Sequence, residues 1–208
     1  MAVKPLKRRT QEERRQESQA RILEAAKELL VERGYDRFSL QHVGQAAGCS
    51  YELINHYFGN KDGLLQALAK NILATFSGNM SDIQNIDNGF DDLSAKIRYI
   101  AQVPDRDYFS FSAFMRLAAE APYHAKVKVL IVKRKKETLN ILSNSIERGM
   151  QLGHIKDGVD VDKTARIIYE FLRGYVYVRL LEPGRGRKEK LPSTIDGFLD
   201  LLKLSIKC

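Results

Sequence analysis

Five neighbouring side chains, Tyr51, Glu52, Leu53, Asn55 and His56, fall on the outward arc of a helix expected over residues 51–57, while Ile54 and Phe58, four apart, face inward. Such a set of side chains could serve recognition, and it shows no arrangement for turnover. A carboxylate such as that of Glu52 can accept from the exocyclic amine of cytosine, and Leu53 or Tyr51 can touch a thymine methyl. An ordinary exposed short helix would show the same periodicity, so the flanking elements have to decide between the two readings. Catalysis finds little support. No HExxH, GxSxG, GxGxxG or Walker sequence occurs, and PGRGRKEK is a basic loop without the strand and helix of a phosphate loop. Four scattered histidines make no triad. His42 and His56 have no carboxylate or thiol at metal spacing, so no metal and no cofactor are expected.

The segment that must position those side chains is SLQHVGQAAGCSYELINHYFGNKDGLL, residues 39–65. Ser39 can cap a helix with Leu40, Val43, Ala46 and Ala47 at helical spacing, and Gly48 can end it in the left-handed conformation. Ser50 can cap the next helix, which Gly59 and Asn60 close. Two short helices across a tight glycine turn form a helix-turn-helix, whose second helix enters the DNA major groove. A T-x-x-E capping box, Thr10 to Glu13, predicts a longer helix over residues 10–33, with Ile22, Ala25, Ala26, Leu29 and Leu30 inward, Gly34 as its stop, and Tyr35 and Phe38 in the corner. So small a three-helix unit needs support from a following helix, residues 61–76.

The spacing Gly48-x-Ser50-x-x-x-Ile54-x-x-Tyr57-Phe58-x-x-Lys61 resembles the DNA-binding signature of the TetR family of bacterial transcriptional regulators. The likeness is strong over residues 22–68 and weaker through the helical remainder. Asn55 stands where that family usually has Tyr, Glu52 where a small residue is common, and Cys49 where Val is common. The resemblance implies that Tyr51, Glu52 and Leu53 read bases and that Tyr57 and Lys61 contact the phosphate backbone. With Ser39, Gln41, Ser50, Asn55 and His56 these form the expected set of residues contacting double-stranded DNA. Cys49 could be a redox sensor at a helix N-terminus, or a small residue packing the turn.

The whole chain of 208 residues reads as all-α, divided into a disordered basic arm (1–9), a helix-turn-helix DNA-binding domain (10–60) and a helical effector-binding and dimerisation domain (61–208). Helices are expected over residues 90–103, 106–120, 123–150, 161–181, capped by Asp160 or Asp162, and from Ser193 or Thr194 to 206. The formal net charge of +8 favours an anionic partner. Residues 1–21 carry seven basic and three acidic groups, a local +4; residues 126–136 carry six basic groups and no acid, and a third basic run covers 185–190. The last two read as solvated surfaces. No apolar run is long enough to cross a bilayer and no signal core follows the basic start, so a cytoplasmic protein that does not enter membranes is expected. Cys49 and Cys208 offer no disulfide framework.

In the expected second domain the run YFSFSAFM supplies Tyr108, Phe111, Phe114 and Met115, which with Tyr99 and Tyr169 either line a pocket or form simple core. Phe76 and Tyr123 belong to the same aromatic set, and Arg98, Arg106 and Arg116 could pair an anionic ligand group or lie on the surface. The helix over residues 161–181 is apolar nearly all round, which a helix wet on one face would not be. By the resemblance it pairs with the last helix in a four-helix dimer interface, giving Ile168, Leu172, Tyr175, Val176, Phe198 and Leu202 as expected interface residues. The family also implies an effector cavity, and hence a homodimeric, ligand-responsive repressor released from a palindromic operator by a small molecule. A nucleoid-associated or partner-binding scaffold on the same fold is the alternative. It would bind DNA without sequence preference.

Overall fold

The computed structural model describes residues 10–78, 89–102, 107–181 and 192–208. The basic arm, Arg106, most of the polar loop before Gly89 and the basic run 185–190 lie outside them. The described residues are helical, with no strand and one isolated bridge, Ile155 to Lys207. The chain divides into two compact units, Met1–Asn71 and Ile72–Cys208, with the division inside a helix.

The first unit begins with α1, Gln11–Arg33. The expected capping box is formed: Thr10 Oγ1 accepts from the Glu13 amide and Glu13 Oε2 accepts from the Thr10 amide. Ile22, Ala25, Ala26, Leu29 and Leu30 are its buried stripe, and Phe38 fills the corner after Gly34. Next come α2, Leu40–Ala47, and α3, Tyr51–Phe58. Ser39 Oγ takes the His42 amide and Ser50 Oγ the Leu53 amide. Between them Gly48 sits at φ 63° and ψ 40°, a conformation that a Cβ would strain. The inward stripe of α2 differs from the expected one in a single residue: Ala46 is exposed and Gly44 is buried in its place. An added Cβ at Gly44 would lie 2.9 Å from the Cys49 carbonyl oxygen, so the turn packs on α2 only because this side chain is missing. Helix α4, Lys61–Gly78, starts on a cap from Asn60 to Gly63. Its Leu64, Leu65, Leu68 and Ala69 are buried, which extends the thin core of this unit as the small size of the three-helix unit requires.

The second unit takes the end of α4, then α5, Gly89–Ala101; α6, Tyr108–Glu120, capped by Asp107; and a 3-10 turn, Ala121–Tyr123. There follow α7, Ala125–Gln151; α8, Val161–Leu181; and α9, Pro192–Ile206. Asp160, not Asp162, caps α8, accepting from the Lys163 amide at 2.9 Å. One apolar cluster joins α5, α7, α8 and α9, with Leu93, Ile97, Leu142, Ile146, Ile168 and Leu172 at its centre. Helices α5 and α7 cross through glycines: a Cβ built on Gly89 would lie 2.1 Å from Gly149 Cα. Inside the same crossing sits a buried polar trio. Lys96 Nζ donates to Asp92 Oδ2 at 2.7 Å and to Ser145 Oγ at 2.8 Å, and Ser145 Oγ donates to Asp92 Oδ2 at 2.7 Å.

Four of the expected interface residues, Ile168, Leu172, Val176 and Leu202, are buried within this unit's own core. Tyr175 and Phe198 are half-buried, and Phe198 stacks on Phe171 with ring centroids 3.8 Å apart. The open apolar side chains of the two helices are instead Ile167, Tyr177, Val178 and Leu181 on α8 and Leu201 and Leu204 on α9. An all-round apolar helix offers two faces, and the expected interface residues fall largely on the one that packs inward.

Candidate nucleic-acid interface

Helix α3 holds its outward residues on two anchors, the cap at Ser50 and the fully buried Ile54. Tyr51 is 49% exposed, and Glu52, Asn55 and His56 are open to solvent, while Leu53, Tyr57 and Phe58 are half-buried. Hydrogen bonds from its own amide and from the Ser50 side chain hold the Glu52 carboxyl below its usual pKa. Glu52 therefore presents an ionised acceptor at the first turn of α3, where the helix dipole also favours negative charge. It can take an amine hydrogen and repels phosphate, so it suits a base edge and not the backbone.

Ser39 and Ser50 spend their hydroxyls on helix caps, and Gln41 is exposed on α2. His42 is held by its Nδ1 against the Arg37 carbonyl oxygen at 2.9 Å. Lys61 lies with Nζ 3.8 Å from the centre of the Tyr35 ring and donates to the Tyr35 carbonyl oxygen at 3.3 Å. Its charge is thus fixed at the corner of the unit. His56 and Tyr57 sit with ring centroids 5.5 Å apart and share an open groove with Gln11, Arg14, Arg15 and Ser18 of α1. Arg14 and Arg15 add positive charge beside the recognition helix. They were counted in the sequence only as part of a basic segment, since nothing local tells which turn of a long helix lies beside α3. Cys49 is half-buried in the turn, and its amide donates to the Gly44 carbonyl at 2.9 Å.

A separate cavity of about 120 Å³ lies in the second unit. Thr75 and Phe76 of α4, Tyr99 and Ile100 of α5, and Asp107, Phe111 and Phe114 at α6 form part of its wall; Arg134 and Thr138 of α7 and Tyr169, Leu172, Arg173 and Val176 of α8 complete it. Of the expected ligand residues, Tyr99, Phe111, Phe114 and Tyr169 line it. Tyr108 and Met115 do not, and Tyr123 is 83% exposed. Arg98 is half-exposed and paired with Asp196 at 2.5 Å, and Arg116 is exposed. The cationic lining comes from two arginines that the sequence hid. Arg134 stands in a basic run that reads as surface, and Arg173 in an apolar helix that reads as seam. Burial pushes the Tyr169 hydroxyl up in pKa, against the opposing pull of the nearby Arg173 and Lys135, so the phenol keeps its proton. Among the described residues no three His, Cys, Asp or Glu side chains gather as a metal would need, and no helix is long and apolar enough to cross a membrane.

Residues 22–68 match the family model of bacterial regulatory proteins, tetR family, and that span holds α1's buried stripe, the helix-turn-helix and the start of α4. Over nearly its whole length the chain is similar to the HTH-type transcriptional regulator TtgR of Pseudomonas putida, 27% identical over 215 aligned positions, covering 95% of this chain and 97% of that protein. It shares its fold with a TetR transcription regulator from Haloarcula marismortui (TM-score 0.78, 18% identity, 93% of this chain and 100% of that one). A transcriptional regulator from Saccharomonospora viridis in complex with choline is similar in the same way (TM-score 0.75, 20% identity, 93% and 99%). With a capped recognition helix and the family model spanning it, residues 22–68 form a DNA-binding domain of the bacterial tetR-family type, in a chain that is similar over nearly its whole length to a transcriptional regulator.

Proposed function

We propose that this DNA-binding regulator is a cytoplasmic, homodimeric repressor that reads a palindromic operator through Tyr51, Glu52 and Leu53 and leaves it when a small molecule fills the cavity of the second unit. The observation that carries the reading is the pairing, in one chain, of an exposed recognition helix with an aromatic-walled cavity in a different unit. A scaffold that only coats DNA has use for the first and none for the second. The choline complex of the Saccharomonospora viridis regulator is in keeping with a small-molecule site on this fold. Ligand acts by differential affinity for two states, so it must bind the DNA-free form more tightly.

The dimer would bury the open apolar residues of α8 and α9, where Leu204 is 78% and Leu181 63% exposed. Exposed Gly174 and Gly197 have nothing within 4 Å of a built Cβ and would let a second copy approach closely. Selection of binding sites from random DNA tests the regulator reading: a two-fold symmetric site, with half-sites about one helical turn or more apart, is expected. Affinity uniform across sequences would favour the scaffold. Light scattering tests the dimer. Val178→Asp and Leu204→Asp should give folded monomers, because both side chains are already outside the core; a dimer mass kept by both would place the interface elsewhere.

A further inference from the structure

We propose that the cavity of the second unit takes a small aromatic carboxylate, its ring among Phe76, Phe111 and Phe114 and its carboxylate on Arg173 and Arg134. The inference rests on reading this cavity as the effector site and names the chemistry of its ligand.

The charge of the wall sets the sign. Two guanidinium groups and one carboxylate line the cavity, a balance of +2 against −1. That carboxylate, Asp107, already serves as the cap of α6, its Oδ1 accepting from the Ser110 amide at 3.0 Å. Arg173 is half-buried, lies 5.4 Å from the centre of the Phe114 ring, and forms no ion pair with a carboxylate among the described residues. Arg134 is pinned by donating to the Phe76 carbonyl oxygen at 3.2 Å, with Glu137 a further 3.6 Å contact, which orients its planar group before any ligand arrives. A pre-oriented guanidinium in a partly dry site is suited to a planar carboxylate, which it can hold by two parallel hydrogen bonds.

The apolar wall sets the body of the ligand. Phe76 meets Phe111 and Phe114 edge-on, at centroid separations of 6.3 and 5.8 Å, and Phe111 tilts against Phe114 at 6.1 Å. Such a trio offers both faces and edges to another ring. A void of about 120 Å³ is on the scale of the roughly 150 Å³ engineered cavity that holds benzene. One ring with its carboxylate fits.

Calorimetric titration of the intact protein with benzoate, benzamide and benzylamine tests this, since the three share a ring and differ in charge. Benzoate is expected to bind at least tenfold more tightly than either other compound, and Arg173→Met, with unchanged helicity by circular dichroism, to remove that preference. Failure of benzoate to bind, equal or tighter binding of benzamide or benzylamine, or retention of the preference in Arg173→Met would each overturn the proposal. The same ligands added to the protein on its selected DNA site separate the two readings. Benzoate that binds the free protein without weakening the DNA complex removes the effector reading and leaves the carboxylate site standing.

Discussion

In the first unit the helix ends are fixed by Thr10, Ser39, Ser50 and Asn60, each accepting from an amide three residues on, whereas the second unit is joined where Gly89 meets Gly149 and Asp92 meets Ser145. The one is organised by neighbours in the chain and the other by residues far apart in it. The contrast follows the work each unit does. A recognition helix of eight residues is too short to hold its own shape in water, so its ends must be written locally. Longer helices around a cavity are held by what they meet, and there the close approach of two backbones and a buried polar trio matter more than any cap.

The sharpest break in this comparison is a single methyl group at the α5–α7 crossing. In Gly89→Ala the new Cβ falls 2.1 Å from Gly149 Cα and 2.7 Å from its nitrogen, so backbone must move on one side or the other. A loss of more than about 3 kcal/mol is expected, read as a fall in the thermal midpoint of at least ~6 °C. Gly174→Ala is the control. It meets nothing within 4 Å, and the helix should gain up to about 1 kcal/mol in a monomer.

Next in size is the polar trio. Asp92→Ala strands the Lys96 ammonium, 8% exposed, without its counter-charge, and removal of one partner from a buried pair costs about 3 kcal/mol or more. The Asp92→Ala, Lys96→Met double variant should recover most of that loss by denaturant titration. No recovery would mean that the carboxylate acts on something besides the lysine; Asp92 Oδ1, buried without a hydrogen-bond partner, is the atom to watch.

The first unit should answer to smaller changes. Ser39→Ala and Ser50→Ala each remove one cap and should cost about 1 kcal/mol, measured by chemical denaturation. Ser50→Ala should in addition weaken DNA binding, because the start of α3 carries Tyr51 and Glu52, while Ser39→Ala acts on α2 and should affect binding less. Equal losses of binding in the two variants would show that the motif melts as one piece.

These two kinds of contact also explain what could be read from the chain. The capping box at Thr10, both serine caps, the turn at Gly48 and the buried Ile54 are local patterns, and each helix of the first unit starts where its cap says. Helix order in the second unit was legible from Pro, Gly and Asp signals, with ends shifted by a few residues. Which face of α8 turns inward was not, since Leu172 and Val178 are equally apolar and only the neighbours distinguish them. Arg134 lies in a run of four basic residues that looks solvated, yet its side chain is 14% exposed; the rotation of α7 decides that, and rotation is set by the distant Gly89 contact. The aromatic part of the cavity wall was visible, and its charge was invisible.

The smallest expected effect on stability belongs to the residue with the largest expected effect on base preference. Glu52 is fully exposed and touches only the start of its own helix, so Glu52→Gln should leave the thermal midpoint where it is. The substitution keeps the size and one acceptor oxygen but adds an amine donor, and a site that offered cytosine N4 an ionised acceptor then tolerates other bases. Binding-site selection on the variant should show relaxed preference at about one or two base pairs per half-site, with unrelated DNA bound no more weakly. The pH dependence follows from the direction of the pKa shift. A folded pKa below the unfolded one means the carboxylate is ionised throughout the neutral range and is protonated only below the ordinary glutamate value; the stability tied to its hydrogen bonds is present above that value and lost as pH falls through the lowered one. The preference carried by Glu52 should accordingly be the same at pH 8 and pH 5, both values being above about 4.3, the ordinary glutamate pKa. A preference that faded between them would show that the Glu52 carboxylate does not carry it.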